Sequence, residues 1–125
     1  MNPKILILDE PTAGLDPKGR DKILNMIKEY RQQYNKTVIL VSHSMEDVAK
    51  YATKVLVMNQ SKLYAYGTVD EVFSKAEEIE KIGLAIPQVT KVFVELNKRG
   101  YNVSKNVYTI AKAKSELMKL GGKLC

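Results

Sequence analysis

An α/β fold is predicted by two short aliphatic runs, Ile5–Leu8 and Val38–Val41, and by the long amphipathic stretch between them. Neither run alternates apolar with polar residues. Four large apolar side chains in a row read as a strand buried on both faces, the kind found in the middle of a parallel sheet. From about Ala76 no strand pattern recurs, so a small, mainly helical carboxyl-terminal extension is expected to follow.

The elements can be justified in order. After the first strand, Gly14 turns the chain toward Asp16-Pro17, an N-cap acceptor followed by proline at the first helical position. Ile23, Leu24, Ile27, Tyr30 and Tyr34 recur at three- and four-residue spacing, which predicts a helix to about Tyr34 with an apolar stripe packed on a sheet. Val38–Val41 is the second strand. Ser44, with Asp47 three residues on, caps a short helix through Tyr51. Lys54–Met58 and Lys62–Tyr66 are two further strands, joined as a hairpin by Asn59-Gln60-Ser61. Thr68 and Glu71 have capping-box spacing, and Ser74 with Glu77 reads as a second box. Helices are then expected near 76–82, 87–98 and 109–120, with Pro87 in a first turn and Gly100 just past a helix end. Val89, Val92, Phe93 and Leu96 form one face of the middle helix.

Composition bounds the function classes. A chain of 125 residues, 45% hydrophobic and 27% charged, has room for one modest domain burying roughly two-thirds of its unfolded surface. No apolar run approaches the ~20 residues needed to cross a bilayer, and no signal-peptide pattern opens the chain. The single cysteine, Cys125, rules out an internal disulfide framework, agrees with a reducing compartment and reads as part of an unstructured end. A formal charge of +6 admits a nucleic acid or an anionic membrane surface as partner. The basic residues are scattered along the helices, however, without an arginine-rich block, and most read as a solvated face.

The first strand ends in two adjacent carboxylates, Asp9 and Glu10, followed by Pro11. Burying one carboxylate costs several kcal/mol unless a cation or strong hydrogen bonds compensate. Two of them at the carboxyl end of a core strand, where α/β sheets bind ligands, point to a site that holds a metal and activates water. A strand that simply stops at a solvated turn is the alternative for the doublet taken alone.

The residues that follow narrow the choice. Pro11-Thr12-Ala13-Gly14-Leu15-Asp16-Pro17 comes next, and the second aliphatic strand ends in Ser42-His43-Ser44. In this order and spacing the chain resembles the ATP-binding cassette (ABC) ATPases. Ile5–Glu10 is similar to their Walker B strand, Ala13–Asp16 to their D-loop, and His43 to their switch histidine. The resemblance implies that Asp9 holds Mg²⁺ through water, and magnesium does keep several waters and take few carboxylates directly. It implies that Glu10 orients the attacking water as general base, and that His43 contacts the γ-phosphate as a hydrogen-bond donor. Gly14, Leu15 and Asp16 would face a partner subunit. Asp16 thus carries two compatible readings, helix cap and interface residue.

Two later stretches, Ile82–Thr90 and Leu96–Tyr101, resemble the carboxyl-terminal extension of energy-coupling factor (ECF) transporter ATPases, the cobalt- and vitamin-importer branch. Residues 1–75 are then expected to be the carboxyl-terminal part of a nucleotide-binding domain and 76–125 a helical dimerisation-type extension. The implied fold is a partial P-loop NTPase core lacking the Walker A strand. No G-x-x-x-x-G-K-[ST] run, whose backbone N–H groups would wrap phosphates, occurs in these residues, nor does a Ser-Gly-Gly-Gln run. The strand carrying that loop normally lies between the counterparts of Val38–Val41 and Lys54–Met58, so the sheet is expected to have a gap that rearrangement or another chain must close.

ATP and Mg²⁺ are accordingly expected as cofactors of the full-length parent, with none bound by these residues alone. The implied partners are a second ATPase subunit, a transmembrane coupling subunit and a substrate-binding membrane subunit, at the cytoplasmic face of the cell membrane. No nucleic acid is expected, and the chain by itself is expected to oligomerise. Two further classes stay open: a non-enzymatic oligomerisation fragment and a nucleic-acid-associated ABC ATPase.

Overall fold

Short-range signals fix most element boundaries in the computed structural model, which describes residues 2–124. The order is β1 (Ile5–Asp9), α1 (Pro17–Tyr34), β2 (Thr37–Val41), α2 (Met45–Tyr51), β3 (Lys54–Asn59), β4 (Lys62–Thr68), α3 (Val69–Phe73), α4 (Ala76–Lys81), α5 (Gln88–Lys98) and α6 (Ile110–Leu124). The fold is a small α/β one, with β1 and β2 parallel and β3 and β4 antiparallel. Among the described residues these pairs form two two-stranded sheets, β1-β2 and β3-β4. The chain divides into two compact units, one through His43 and one from Ser44 onward.

In the first unit, Asp16 caps α1 as its sequence position requires: its Oδ1 accepts the Gly19 N–H at 2.8 Å, and Pro17 opens the helix. Asn35 closes α1 in the left-handed region (φ 48°), where its N–H bonds the Arg31 carbonyl. Residues Ile5 to Asp9 pair in register with Thr37 to Val41. The expectation that both strands are buried on both faces is overturned. Burial alternates along each, leaving Ile5, Ile7, Ile39 and Val41 exposed, while Leu6, Leu8, Val38 and Leu40 are partly covered. This unit has two strands and one helix, and the face of Ile5, Ile7, Ile39 and Val41 stays exposed. Leu24 is fully buried, but Tyr34, at the far end of the α1 stripe, is exposed.

The second unit has two apolar clusters. The larger joins Val55 of β3, Val72 and Phe73 of α3, Ala76 and Ile79 of α4, Ile86 and Tyr108, with Met45, Val48, Ala49 and Ala52 packed against it from α2 and its end. The smaller joins Phe93 of α5 to Val103, Val107 and Ala113. Thr90, fully buried, donates its hydroxyl to the Val107 carbonyl at 2.7 Å, and Asn97 donates to the Val103 carbonyl at 2.9 Å. Two side chains of α5 therefore fix the irregular stretch ahead of α6. The Tyr108 hydroxyl donates to Asp70 Oδ1 at 2.8 Å, and burial together with that carboxylate pushes the phenol well above its ordinary range.

The hairpin turns through Gln60 and Ser61, both at positive φ (48° and 60°), as a two-residue turn between twisted strands demands. The Thr68–Glu71 capping box is present: Thr68 Oγ1 accepts the Glu71 N–H at 3.2 Å, and Glu71 Oε2 accepts the Thr68 N–H at 2.7 Å. A Cβ at Gly67 would lie 2.6 Å from Glu71 Oε2, so a larger residue there would displace the carboxylate that closes the box. The second expected box, Ser74 with Glu77, does not form. Ser74 ends α3 and gives its hydroxyl to the Glu71 carbonyl, and α4 begins without a side-chain cap. Pro87 sits one position before α5 rather than within it, and α6 runs on to Leu124 rather than stopping at Leu120. The reading of Cys125 as an unstructured end lies outside the described residues. Among the described residues no helix is long and apolar enough to cross a membrane.

Candidate functional site

The acidic doublet lies where β1 stops pairing with β2. Asp9 is opposite Val41 in the ladder, and the Glu10 N–H extends the pairing by one bond, donating to the Val41 carbonyl at 2.8 Å. Glu10 then adopts a left-handed backbone (φ 47°), a conformation that costs a non-glycine residue on the order of 1 kcal/mol. The bend begins a tight turn. The Ala13 N–H returns to the Glu10 carbonyl at 3.1 Å, the Leu15 N–H to the Thr12 carbonyl at 3.2 Å, and Gly14 supplies the positive φ (76°) needed between them. Thr12, buried at 7% exposure, is a member of this turn that sequence reasoning passed over; its place directly after the Asp-Glu-Pro run was the available signal.

The backbone bend aims the Glu10 carboxylate at the chain leaving β2. Its Oε1 accepts the His43 main-chain N–H at 3.0 Å and lies 2.8 Å from His43 Nδ1. An ionised carboxylate can only accept, so the contact is a hydrogen bond in the tautomer that carries its proton on Nδ1. His43 is 89% exposed at the side chain and Glu10 31%, so the acid is held and partly shielded while the imidazole stays open to a ligand. Residues 33 positions apart in the chain are thus brought together by two parallel strands.

The other predicted residues are near in sequence but have different surroundings. Asp9, Gly14, Leu15 and Asp16 are all exposed, and Asp16 is engaged by the α1 N-terminus. Among the described residues no group of three or more Asp, Glu, His or Cys side chains could hold a metal ion by itself. Asp9 is a hard oxygen donor of the kind magnesium takes, but it fits only as one ligand in a shell completed by water and phosphate. A groove on α4 and α5 is lined by Glu80, Ile86 and Lys91, away from these residues in sequence.

Known proteins supply context. A family model described as "AAA domain, putative AbiEii toxin, Type IV TA system" matches residues 1–48. The Energy-coupling factor transporter ATP-binding protein EcfA2 of Clostridium tetani is 56% identical over 120 residues, covering 96% of this chain and 42% of that protein. A solved structure of cbiO1 from Clostridium perfringens, described as part of the ABC transporter complex cbiONQ, is similar with a TM-score of 0.54 at 40% identity, over 64% of this chain and 32% of its own. An ATP-binding cassette of an ABC transporter, solved in its ADP conformation, is similar with a TM-score of 0.55 at 29% identity, over 66% of this chain and 34% of its own. The chain spans 42% of the length of the Clostridium tetani relative, well short of two thirds.

Proposed function

Because the chain belongs to the ABC-type ATP-binding subunits of energy-coupling factor transporters, we propose that it carries the water-activating and magnesium-binding part of an ATP hydrolysis site. The observation that carries this reading is the 2.8 Å contact between Glu10 and His43 at the carboxyl end of the parallel pair. In the proposed mechanism Glu10 orients a water and takes its proton, and Asp9 holds magnesium through water. The ion, when bound, offsets phosphate charge. His43 donates to a phosphate oxygen from Nε2.

The remaining assignments follow the same reading. Residues 1–75 belong to the nucleotide-binding part and 76–125 to a helical extension that pairs with its counterpart. Gly14, Leu15 and Asp16 face a second ATPase subunit across the nucleotide. The whole subunit works with transmembrane partners at the cytoplasmic side of the membrane, powering import of a metal ion or vitamin. The 125 residues alone contain no phosphate-wrapping loop and neither bind nor hydrolyse ATP. Direct titration tests the last point: no saturable binding is expected at micromolar ATP, and a micromolar plateau overturns it. With the rest of an ECF ATP-binding subunit supplied, Glu10→Gln is expected to lower hydrolysis ~10²–10⁴-fold while ATP binding persists. Unchanged turnover would remove Glu10 from the role.

A second reading, an oligomerisation fragment, is favoured by the open sheet face of Ile5, Ile7, Ile39 and Val41. Sedimentation that stays monomeric across a hundredfold range of concentration rejects it.

A further inference from the structure

A hairpin of two strands needs something packed on its faces to be stable. In the hairpin of β3 and β4 one face packs on the larger cluster: Val55 is buried there beside Val72 and Phe73 of α3, with Val57 and Ala65 against it. Register sets the other face. Lys54 is opposite Thr68, Leu56 opposite Tyr66 and Met58 opposite Leu63, and side chains two apart on a strand share a face. The pairing shifts between Val57 and Met58, so Tyr64 is left over at a bulge and Leu63 takes its place across from Met58. Leu56, Met58, Leu63 and Tyr66 thus form one apolar patch opposite the core face, each between 52% and 61% exposed.

The two ends of this patch differ in charge. Where β3 begins and β4 finishes, Lys54 lies over the Tyr66 ring, its Nζ 5.4 Å from the centroid. That end also carries two carboxylates, Asp70 and Glu71 in the first turn of α3. The turn end, from Asn59 to Lys62, carries Lys62 and no acid. Two hairpins stacked in the same direction would set Lys62 beside its own copy. Stacked head to tail about a two-fold axis, each Lys62 meets the acidic end of the other. A lipid surface or a nucleic acid, uniform in charge, would suit one end and be repelled by the other. The exposed parts of the four side chains and Tyr64 come to roughly 500 Å² per copy, so a self-pair covers about 1,000 Å², where specific interfaces begin.

We propose that the outer face of the β3–β4 hairpin is a self-association surface, on which a second copy of this chain stacks head to tail in a helix–sheet–sheet–helix arrangement. The proposal rests on the second reading above, oligomerisation, and assigns it to this face of the second unit rather than to Ile5, Ile7, Ile39 and Val41. An interface at the low end of the size range is weak, with a dissociation constant on the order of 1–100 μM.

The test uses the 125-residue chain in sedimentation velocity from about 1 to about 500 μM, where a monomer–dimer equilibrium is expected. Tyr66→Lys places a charge within the apolar contact and is expected to weaken the dimer at least ~tenfold. Leu63→Lys should do the same and serves if the first variant lowers the melting temperature. Ile7→Lys, in the first unit, is expected to leave the equilibrium unchanged. A spin label at Lys62→Cys, in a Cys125→Ser background that removes the native thiol, is mixed with isotope-labelled chain. It is expected to broaden the partner's amides at 68–71 and spare those at 60–63; the reverse pattern overturns the proposal. A dimer weakened as much by Ile7→Lys as by the hairpin variants, or untouched by the latter, overturns the proposal and leaves oligomerisation standing. A chain that stays monomeric at every concentration overturns both. A monomer that floats with phosphatidylglycerol vesicles gives the face to lipid instead.

Discussion

In the first unit the one apolar side chain buried below 3% exposure, among the described residues, is Leu24; in the second, Val72, Phe73, Ile79, Phe93 and Val107 all reach that level. Yet every residue assigned to chemistry precedes Ser44. The unit with the thinner core carries Asp9, Glu10 and His43, held by strand pairing and two hydrogen bonds to one carboxylate oxygen. The thicker core carries capping motifs and buried polar anchors, and none of the residues proposed for hydrolysis. Buried core and proposed chemistry lie in different stretches, as expected where local opening free energies differ across a structure.

Five measurements break or sharpen that contrast. Phe93→Ala removes a ring at 1% exposure and is expected to cost ~3–5 kcal/mol in denaturant unfolding, chiefly through α5 and α6. Leu24→Ala, expected at ~2–5 kcal/mol, should abolish exchange protection in β1 and β2 and leave β3 protected; loss everywhere would mean that the units unfold as one. Next in size, Thr90→Val leaves the Val107 carbonyl without its 2.7 Å partner and should cost ~1–3 kcal/mol, seen as a lower midpoint at unchanged slope.

Tyr108→Phe should cost ~1 kcal/mol near neutral pH by losing the bond to Asp70. Because folding raises the phenol's pKa, its contribution is complete below the unfolded tyrosine value of ~10 and fades as pH rises from there through the folded value. The phenylalanine variant should therefore show a shallower alkaline decline. Smallest is Asp16: Asn still caps α1 and should leave the melting temperature nearly unchanged, whereas Ala costs ~1 kcal/mol. If Asn nonetheless lowers ATP hydrolysis in a complete paired subunit, the interface role is separated from the cap. Equal activity and equal stability would count against that role.

Much of this was legible in sequence because much of it is local. The Asp16-Pro17 start, the Ser44 and Thr68 caps and the hairpin turn are decided within four residues. The Glu10–His43 encounter was legible only as a resemblance, although two strands at known spacing make it geometrically natural. Burial was misread for Ile5, Ile7, Ile39 and Val41, because a run of aliphatic residues states what a strand suits, not which neighbours these 125 residues provide. Ser74 failed as a cap because the end of α3 claimed its hydroxyl first. Thr90, Asn97, Tyr108 and Glu46 left no trace, since each finds its partner across at least six residues through tertiary packing.

The left-handed backbone at Glu10 has a consequence for any survey of substitutions there. Asparagine and glycine sit more comfortably at such a φ, so part of what they lose in contacts to His43 they regain in relaxed main chain. A library screened for heat resistance would then tolerate position 10 well, while the same library screened for turnover within a complete subunit would tolerate almost nothing. Divergence between those two maps would mark the acid as kept for what it does rather than for how it folds.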